Sequence, residues 1–487
     1  MKKWIAAICA VTLGLSVTGC GQANEGSVKQ LLSEKLSGEI TVSCYDTMLY
    51  KDFLEKAAKT FEKNNPGTKI KVEGFAPMPE VKIIEGGEIS VSMTKEEDEQ
   101  KRADYVSKIN TELMSGKGAD VLAMDTLPYY KYADGGQLED LQLYMDADSS
   151  FDIKDYQKNI LDATKYHDGQ YIMPLDYMFD YLAYDSSLFN EKEKQSLEKN
   201  DQYTYKKLFE IGKEPLQRAN TNAAGPVRMF DRFAGTDMVR EILSTDYKNY
   251  IDIENRKVYL TDGKFARLLE SVKKYGENGY LSIDSNNKEL SAEDLEKMDR
   301  QHFVFKTKME TSLIDEALKR AGINSNGPVS DGGDTSNDKS LGSLTNDNGE
   351  AQFRYMQAYG INSNSKNKAL AWAFLKFLMS GDIPLESYSF PINNAARMDM
   401  IKLYISGQLF DGKADPNKEL TAEQKKAYET STKSIEKFTN ALNYYPIKDD
   451  NIDAMIEKEV DNYFNGSKTA DQVASTLQEK IELYLNE

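Results

Sequence analysis

Two histidines, His167 and His302, are all that this 487-residue chain contains. That is too few for a multi-histidine metal site and leaves little from which to build a histidine-based hydrolase. His167 sits in Tyr166-His167-Asp168-Gly169, a hairpin-turn pattern, so both histidines read as surface or packing residues. Cysteine is nearly as scarce, at Cys9, Cys20 and Cys44. Cys44 alternates with Ile40 and Val42, which predicts a strand with a buried thiol. No nucleophile motif, metal signature or phosphate-cradling glycine loop is present, so neither a catalytic residue nor a metal or cofactor site is expected. Lysine and arginine number 61 against 79 acids, a net charge of −18. This argues against nucleic acid as a partner, since phosphate recognition needs clustered basic residues. No internal repeat of fixed period occurs. After residue 15 no long apolar run occurs, so the body of the chain is expected to be soluble.

The first twenty residues carry the strongest signal. Lys2 and Lys3 precede an apolar run from Trp4 to Leu15, followed by Val17-Thr18-Gly19-Cys20. A basic start, a short apolar segment and small residues describe a secretory signal peptide, residues 1–19. The cysteine after the small residues resembles the bacterial lipobox, which implies that Cys20 becomes the diacylglyceryl-modified first residue. Two acyl chains anchor a protein stably where one is marginal. The expected location is the extracytoplasmic face of the cell membrane, by a lipid anchor alone. Losing the signal lysines takes the net charge from −18 to −20, and Cys44 is then left without a disulfide partner.

Residues 20–38 read as a polar tether with a weak helical patch at Val28, Leu31, Leu32 and Leu36. From Glu39 the pattern is strand, helix, strand. Ile40, Val42 and Cys44 alternate, Phe53 to Phe61 recur at helical spacing, Asn64-Asn65-Pro66-Gly67 stops the helix, and Ile70 and Val72 resume extended chain. Such a βαβ unit implies a parallel sheet. Residues 77–102 look like a surface excursion. Tyr105, Ile109 and Leu113 then form a helical stripe, and Ala119 to Met124 an inner strand. Tyr250–Leu260 reads as a hairpin turning at Glu254-Asn255, with Asp262 as a helix cap. Residues 324–350 read as a long loop, whose Asp331-Gly332-Gly333-Asp334 cluster lacks EF-hand spacing and is taken as solvated. The C-terminus is helical, with stripes either side of Gly466 and a capping box at Thr469 and Gln472.

Together several segments resemble the extracellular solute-binding proteins of bacterial ABC importers, the group that includes maltose- and oligosaccharide-binding proteins. They are Phe61–Val72, Gly116–Met124, Tyr132–Leu141, Asp168–Leu175 with Tyr184-Asp185, and Gly360-Ile361-Asn362 with Ala371–Leu378. The resemblance runs from about Glu39 to the C-terminus. It implies an α/β fold of type II, in which two discontinuous lobes joined by crossing strands enclose a ligand cleft. Crossings near Leu175, Tyr359 and Phe390 divide the chain into an N-lobe (39–175 plus 359–389) and a C-lobe (176–358 plus 390–487). It also implies a monomer that closes on a small solute, most simply a saccharide, and hands it to an ABC permease.

Ligands of open parallel sheets sit beyond the carboxyl ends of strands. That places Tyr45 and Asp46 after the first strand, Asp125 after the next, and Asp176, Tyr177, Phe179 and Tyr355 near the crossings. Sugars present C–H faces to aromatic rings and hydroxyls to carboxylates. Trp372 lies on a packing helix, so stacking falls to Tyr and Phe, with Phe230 as a further candidate and Arg232, like Arg228, suited to an anionic group. The alternatives are an exported carboxylate-based glycosidase and a ligand sensor or adaptor without a transport role.

Overall fold

The computed structural model describes residues 25–46, 49–76, 81–83, 89–91, 95–222, 227–230, 235–281, 302–324, 337–383, 387–409, 411 and 414–486. The first sheet is built from the N-terminal βαβ unit. Gly38–Asp46 pairs in parallel with Thr68–Ala76 on one side and with Val121–Ala123 on the other. The helix Leu49–Asn64 joins the first two strands and buries Phe53, Leu54, Ala57 and Phe61. Beyond Val121–Ala123 comes Ala358–Ile361, antiparallel to its neighbours, and then Met173–Pro174 at the edge. A strand from more than 200 residues downstream is thus threaded into the N-terminal sheet, as the discontinuous two-lobed fold requires. Cys44 is buried there, its thiol directed at the Glu73 carbonyl. Trp372, on the helix Lys368–Met379, is 1% exposed and donates its indole N–H to Asp148.

The central strand Ala358–Ile361 leaves no room at Gly360. A Cβ there would lie 2.7 Å from Met124 Cε and 2.9 Å from the Tyr171 carbonyl oxygen. Gly360→Ala is expected to cost about 1–3 kcal/mol, read as a lower urea midpoint with an unchanged denaturant slope.

The second sheet runs in the order Val227–Phe230, His302–Met309, Asp180–Asp185, Asp338–Leu344, Gln202–Tyr203. Asp180–Asp185 lies at its centre and is antiparallel to both neighbours. Between the sheets three passes of chain run side by side. Phe390–Pro391 pairs with Asp176–Tyr177, Leu175 N–H donates to Gln357 O, and Ile392 N–H donates to Leu175 O.

Several expectations change. Part of the tether is the helix Glu25–Leu32, whose Val28 is buried in the first lobe beside partly buried Leu31, Leu32 and Leu36. Val28, Leu31 and Leu32 share one face of the helix, and Leu36 follows it, enough to dock the segment. The charged stretch from Lys95 to Arg102 is not an excursion but the start of the helix Lys95–Met114. Its residues are strong helix formers, and Asp98 pairs with Arg102 one turn on. Asp338–Leu344, placed in a loop by its polarity, is a sheet strand with a register shift between Ser340 and Gly342. Gly342 fits that shift, because a Cβ would meet the Asp201 carbonyl at 2.5 Å. The cap of Lys264–Glu277 is Gly263, at φ 83°, while Asp262 accepts from Lys264 N–H one residue outside. The Asp331–Asp334 cluster lies outside the described residues.

Candidate functional site

The cleft-facing end of the first sheet is more tightly packed than its sequence suggests. Tyr45 is buried against Phe75 and Tyr105, donates its hydroxyl to Asp98 at 3.0 Å, and has the Arg102 guanidinium 5.0 Å from its ring centre. Asp125 is half-buried in the loop after Val121–Ala123. The Asp46 side chain and Arg232 lie outside the described residues.

Near the crossings the candidates turn inward. Asp176 is fully buried, and its Oδ1 accepts from Met356 N–H at 2.8 Å and Gln357 N–H at 3.1 Å, its Oδ2 from Ser389 Oγ at 2.6 Å. Tyr177 shares its hydroxyl with Thr439 and Arg397. Phe179 packs on Phe390 and Phe438. Phe230 packs among Tyr205, Phe209 and Phe305. None of these three rings has an open face; the crossing strands are covered on both sides, so alternation no longer separates inside from outside. Arg228 is half-buried and donates to the Gly279 carbonyl at 2.7 Å.

Tyr355 is different. It is half-buried and lies nearly parallel to Tyr445, ring centres 5.1 Å apart at 22°, with Tyr445 donating to its hydroxyl at 2.9 Å. Burial pushes both phenols up, Tyr445 to about 12. Asp125 is near enough to Tyr355 to add to its shift. No pattern in the sequence pairs residues 355 and 445. They meet because Ala351-Gln352 bridges in parallel to Leu442–Tyr444.

A cavity of about 420 Å³ is lined by Arg240, Glu241 and Ser244 of the helix Gly235–Thr245, by Tyr247 and Lys448, and by Asp453 of the helix Asp450–Phe464; neither Tyr355 nor Tyr445 lines it. Lys448 Nζ donates to Ser244 Oγ at 2.7 Å, and Tyr205 donates to Glu241 at 3.1 Å. Among the described residues Glu241, Asp453 and Lys448 make no ion pair within 4.0 Å. Burial instead drives each toward its neutral form, raising the two carboxyls and lowering the ammonium. Arg354 grips Asp180 through two hydrogen bonds of 2.6 and 3.3 Å while remaining 49% exposed, and its charge reaches Glu241, Glu310 and Lys448. The Tyr247 ring among desolvated groups with spare hydrogen-bonding capacity suits a polyhydroxylated molecule.

No group of three or more His, Cys, Asp or Glu among the described residues could hold a metal, and no described helix is long and apolar enough to cross a membrane. No curated protein matches this chain by sequence. Similar solved structures include a family 1 extracellular solute-binding protein of Alicyclobacillus acidocaldarius, 14% identical, TM-score 0.55, with 93% of this chain and 100% of that one covered. Another is the sugar-binding protein MalE of Xanthomonas citri, 12% identical, TM-score 0.56, with 92% and 98% covered. A third is a Listeria monocytogenes ABC substrate-binding protein in complex with cycloalternan, 16% identical, TM-score 0.52, with 93% and 100% covered. At such identities these establish a shared two-lobed fold. Residues 93–389, more than half of the chain, match the family described as bacterial extracellular solute-binding protein. This chain therefore belongs to that family.

Proposed function

We propose that the protein is a lipid-anchored receptor that binds a saccharide outside the cytoplasmic membrane and delivers it to the permease of an ABC importer. The observation that carries this reading is a cavity of about 420 Å³ lined by desolvated hydrogen-bonding groups, with Tyr445 of the stacked, half-buried Tyr355–Tyr445 pair three residues along the chain from its Lys448. That volume falls within the range of small-ligand pockets. The sugar-binding and cycloalternan-bound relatives favour the same ligand class. Lobes of residues 39–175 plus 359–389 and 176–358 plus 390–487 are the parts that close, and Cys20, outside the described residues, is the proposed anchor.

The test is a thermal-shift screen of the mature chain carrying Cys20→Ser against mono- and oligosaccharides, amino acids and anions. A ligand at 100 times its Kd adds about 2.7 kcal/mol to the native state. A saccharide that raises the melting temperature and is recovered unchanged supports the receptor; its conversion to product points to a glycosidase. Tyr445→Ala is expected to weaken that saccharide about tenfold, roughly 1.4 kcal/mol, by titration calorimetry, with little change in the unliganded melt. An unaltered Kd removes Tyr445 from the site.

A further inference from the structure

Among the described residues only His167, Asp168 and Arg256 are non-glycine residues with positive φ, at 45°, 65° and 53°. All three lie at hairpin turns, where such angles are needed. One turn is Tyr166–Gly169, closed by two 2.9 Å backbone hydrogen bonds, and belongs with the first sheet. The other joins Ile251-Asp252 to Lys257-Val258 and belongs with the second lobe. The two tips, far apart in sequence, meet. His167 N–H donates to Glu254 Oε1 at 3.1 Å, and Arg256 Nη2 donates to Asp134 Oδ2 at 2.8 Å. Each carboxylate is tied to its own lobe as well, Glu254 by Lys248 Nζ at 2.7 Å and Asp134 by the Tyr166 hydroxyl at 3.0 Å. The His167 ring nitrogens stand 3.6 and 3.8 Å from Asp134 and Glu254. A second contact runs alongside, where Tyr130 donates to Asp449 at 2.7 Å and Lys131 sits 3.8 Å above the Tyr484 ring.

These groups line neither the cavity nor the tyrosine pair. We infer that the two hairpin tips form an electrostatic latch that holds the lobes together in the absence of solute. Its groups are partly exposed, Arg256 by 52% and His167 by 49%, so each contact is weak and its ion pairs are screened by salt. Weakness suits the role, because a latch that is too strong would trap the closed state. By favouring that state before binding, it raises apparent affinity for whatever the cleft takes.

The experiment is single-molecule energy transfer on the mature chain without solute, with Cys20→Ser and dyes on Lys69→Cys and Lys213→Cys, exposed positions of opposite lobes. At low ionic strength a compact population is expected. Arg256→Ala combined with Glu254→Gln should lower its ratio to the open form at least tenfold. Salt at 0.5 M should do the same to the parent protein and little further to the variant. Arg256→Lys keeps the charge and should keep the compact population, which separates loss of the latch from damage to the fold. Identical distance distributions for parent and double variant at both salt levels would overturn the latch, whatever the cleft binds.

Discussion

Glu310→Gln will stabilise the protein at alkaline pH and flatten the fall in its stability between about pH 4.5 and pH 8. Glu310 is fully buried just after His302–Met309, and no side chain of the described residues hydrogen-bonds its carboxyl group. Burial pushes its pKa from 4.5 to about 8, with Asp180 adding to the rise and Arg354, already engaged by Asp180, only partly opposing it. The sign follows from proton uptake. A carboxyl whose pKa is raised by folding binds its proton more tightly in the native state. Its stabilising contribution is therefore complete below the unfolded pKa, near 4.5, and is lost as pH rises through about 8. A shift of that size corresponds to about 4–5 kcal/mol between the two limits. Glutamine stays neutral throughout, so the gap between variant and parent should open steadily across this window. Urea midpoints at pH 5, 7 and 9 measure it; parallel curves for the two proteins would show that Glu310 is not the group responsible.

Asp176→Ala should be the most damaging single change near the crossing strands. The carboxylate joins three passes of chain, its own, the Met356-Gln357 backbone and Ser389. Removing it strands the Met356 and Gln357 N–H groups, each worth about 1–3 kcal/mol when left unpaired, while the Ser389 hydroxyl keeps its bond to Ser387. A loss of about 3–5 kcal/mol is expected. Asp176→Asn retains an acceptor for the two N–H groups and should lose less than half as much. Were Asp176 instead a ligand residue, as its position suggests, Asp176→Asn would abolish binding with little cost in stability. Chemical denaturation and titration of the same two variants decide between these roles.

The first sheet is legible because its strands and helices alternate apolar and polar residues at periods of two and 3.6. Periodicity also found the buried half of Lys95–Met114, but not its charged first two turns, where helix propensity rather than burial decides. The strand Asp338–Leu344 escaped notice because its exposed half is polar and it contains glycine. The surroundings of the candidate site residues were less legible than the fold. Residue type proposed aromatic rings near the crossings, yet it cannot say which side of a doubly covered strand faces the ligand. Tyr177 and Phe179 are wholly buried in the packing, whereas Tyr355 is half-buried at its margin. Tyr445 could not be singled out from the sequence, because 90 residues of chain intervene before a parallel bridge brings it beside Tyr355. No local pattern encodes that bridge.

The late strand Ala358–Ile361 governs how the polypeptide is born. Until residue 361 has left the ribosome, Val121–Ala123 lacks its antiparallel neighbour and Met173–Pro174 has nothing to pair with. The N-terminal sheet must wait, with an open edge and exposed apolar residues, while residues 175–357 are synthesised. A nascent chain that cannot finish its first lobe early stays unfolded longer, which favours passage through a narrow translocation channel and prolongs its need for protection against aggregation.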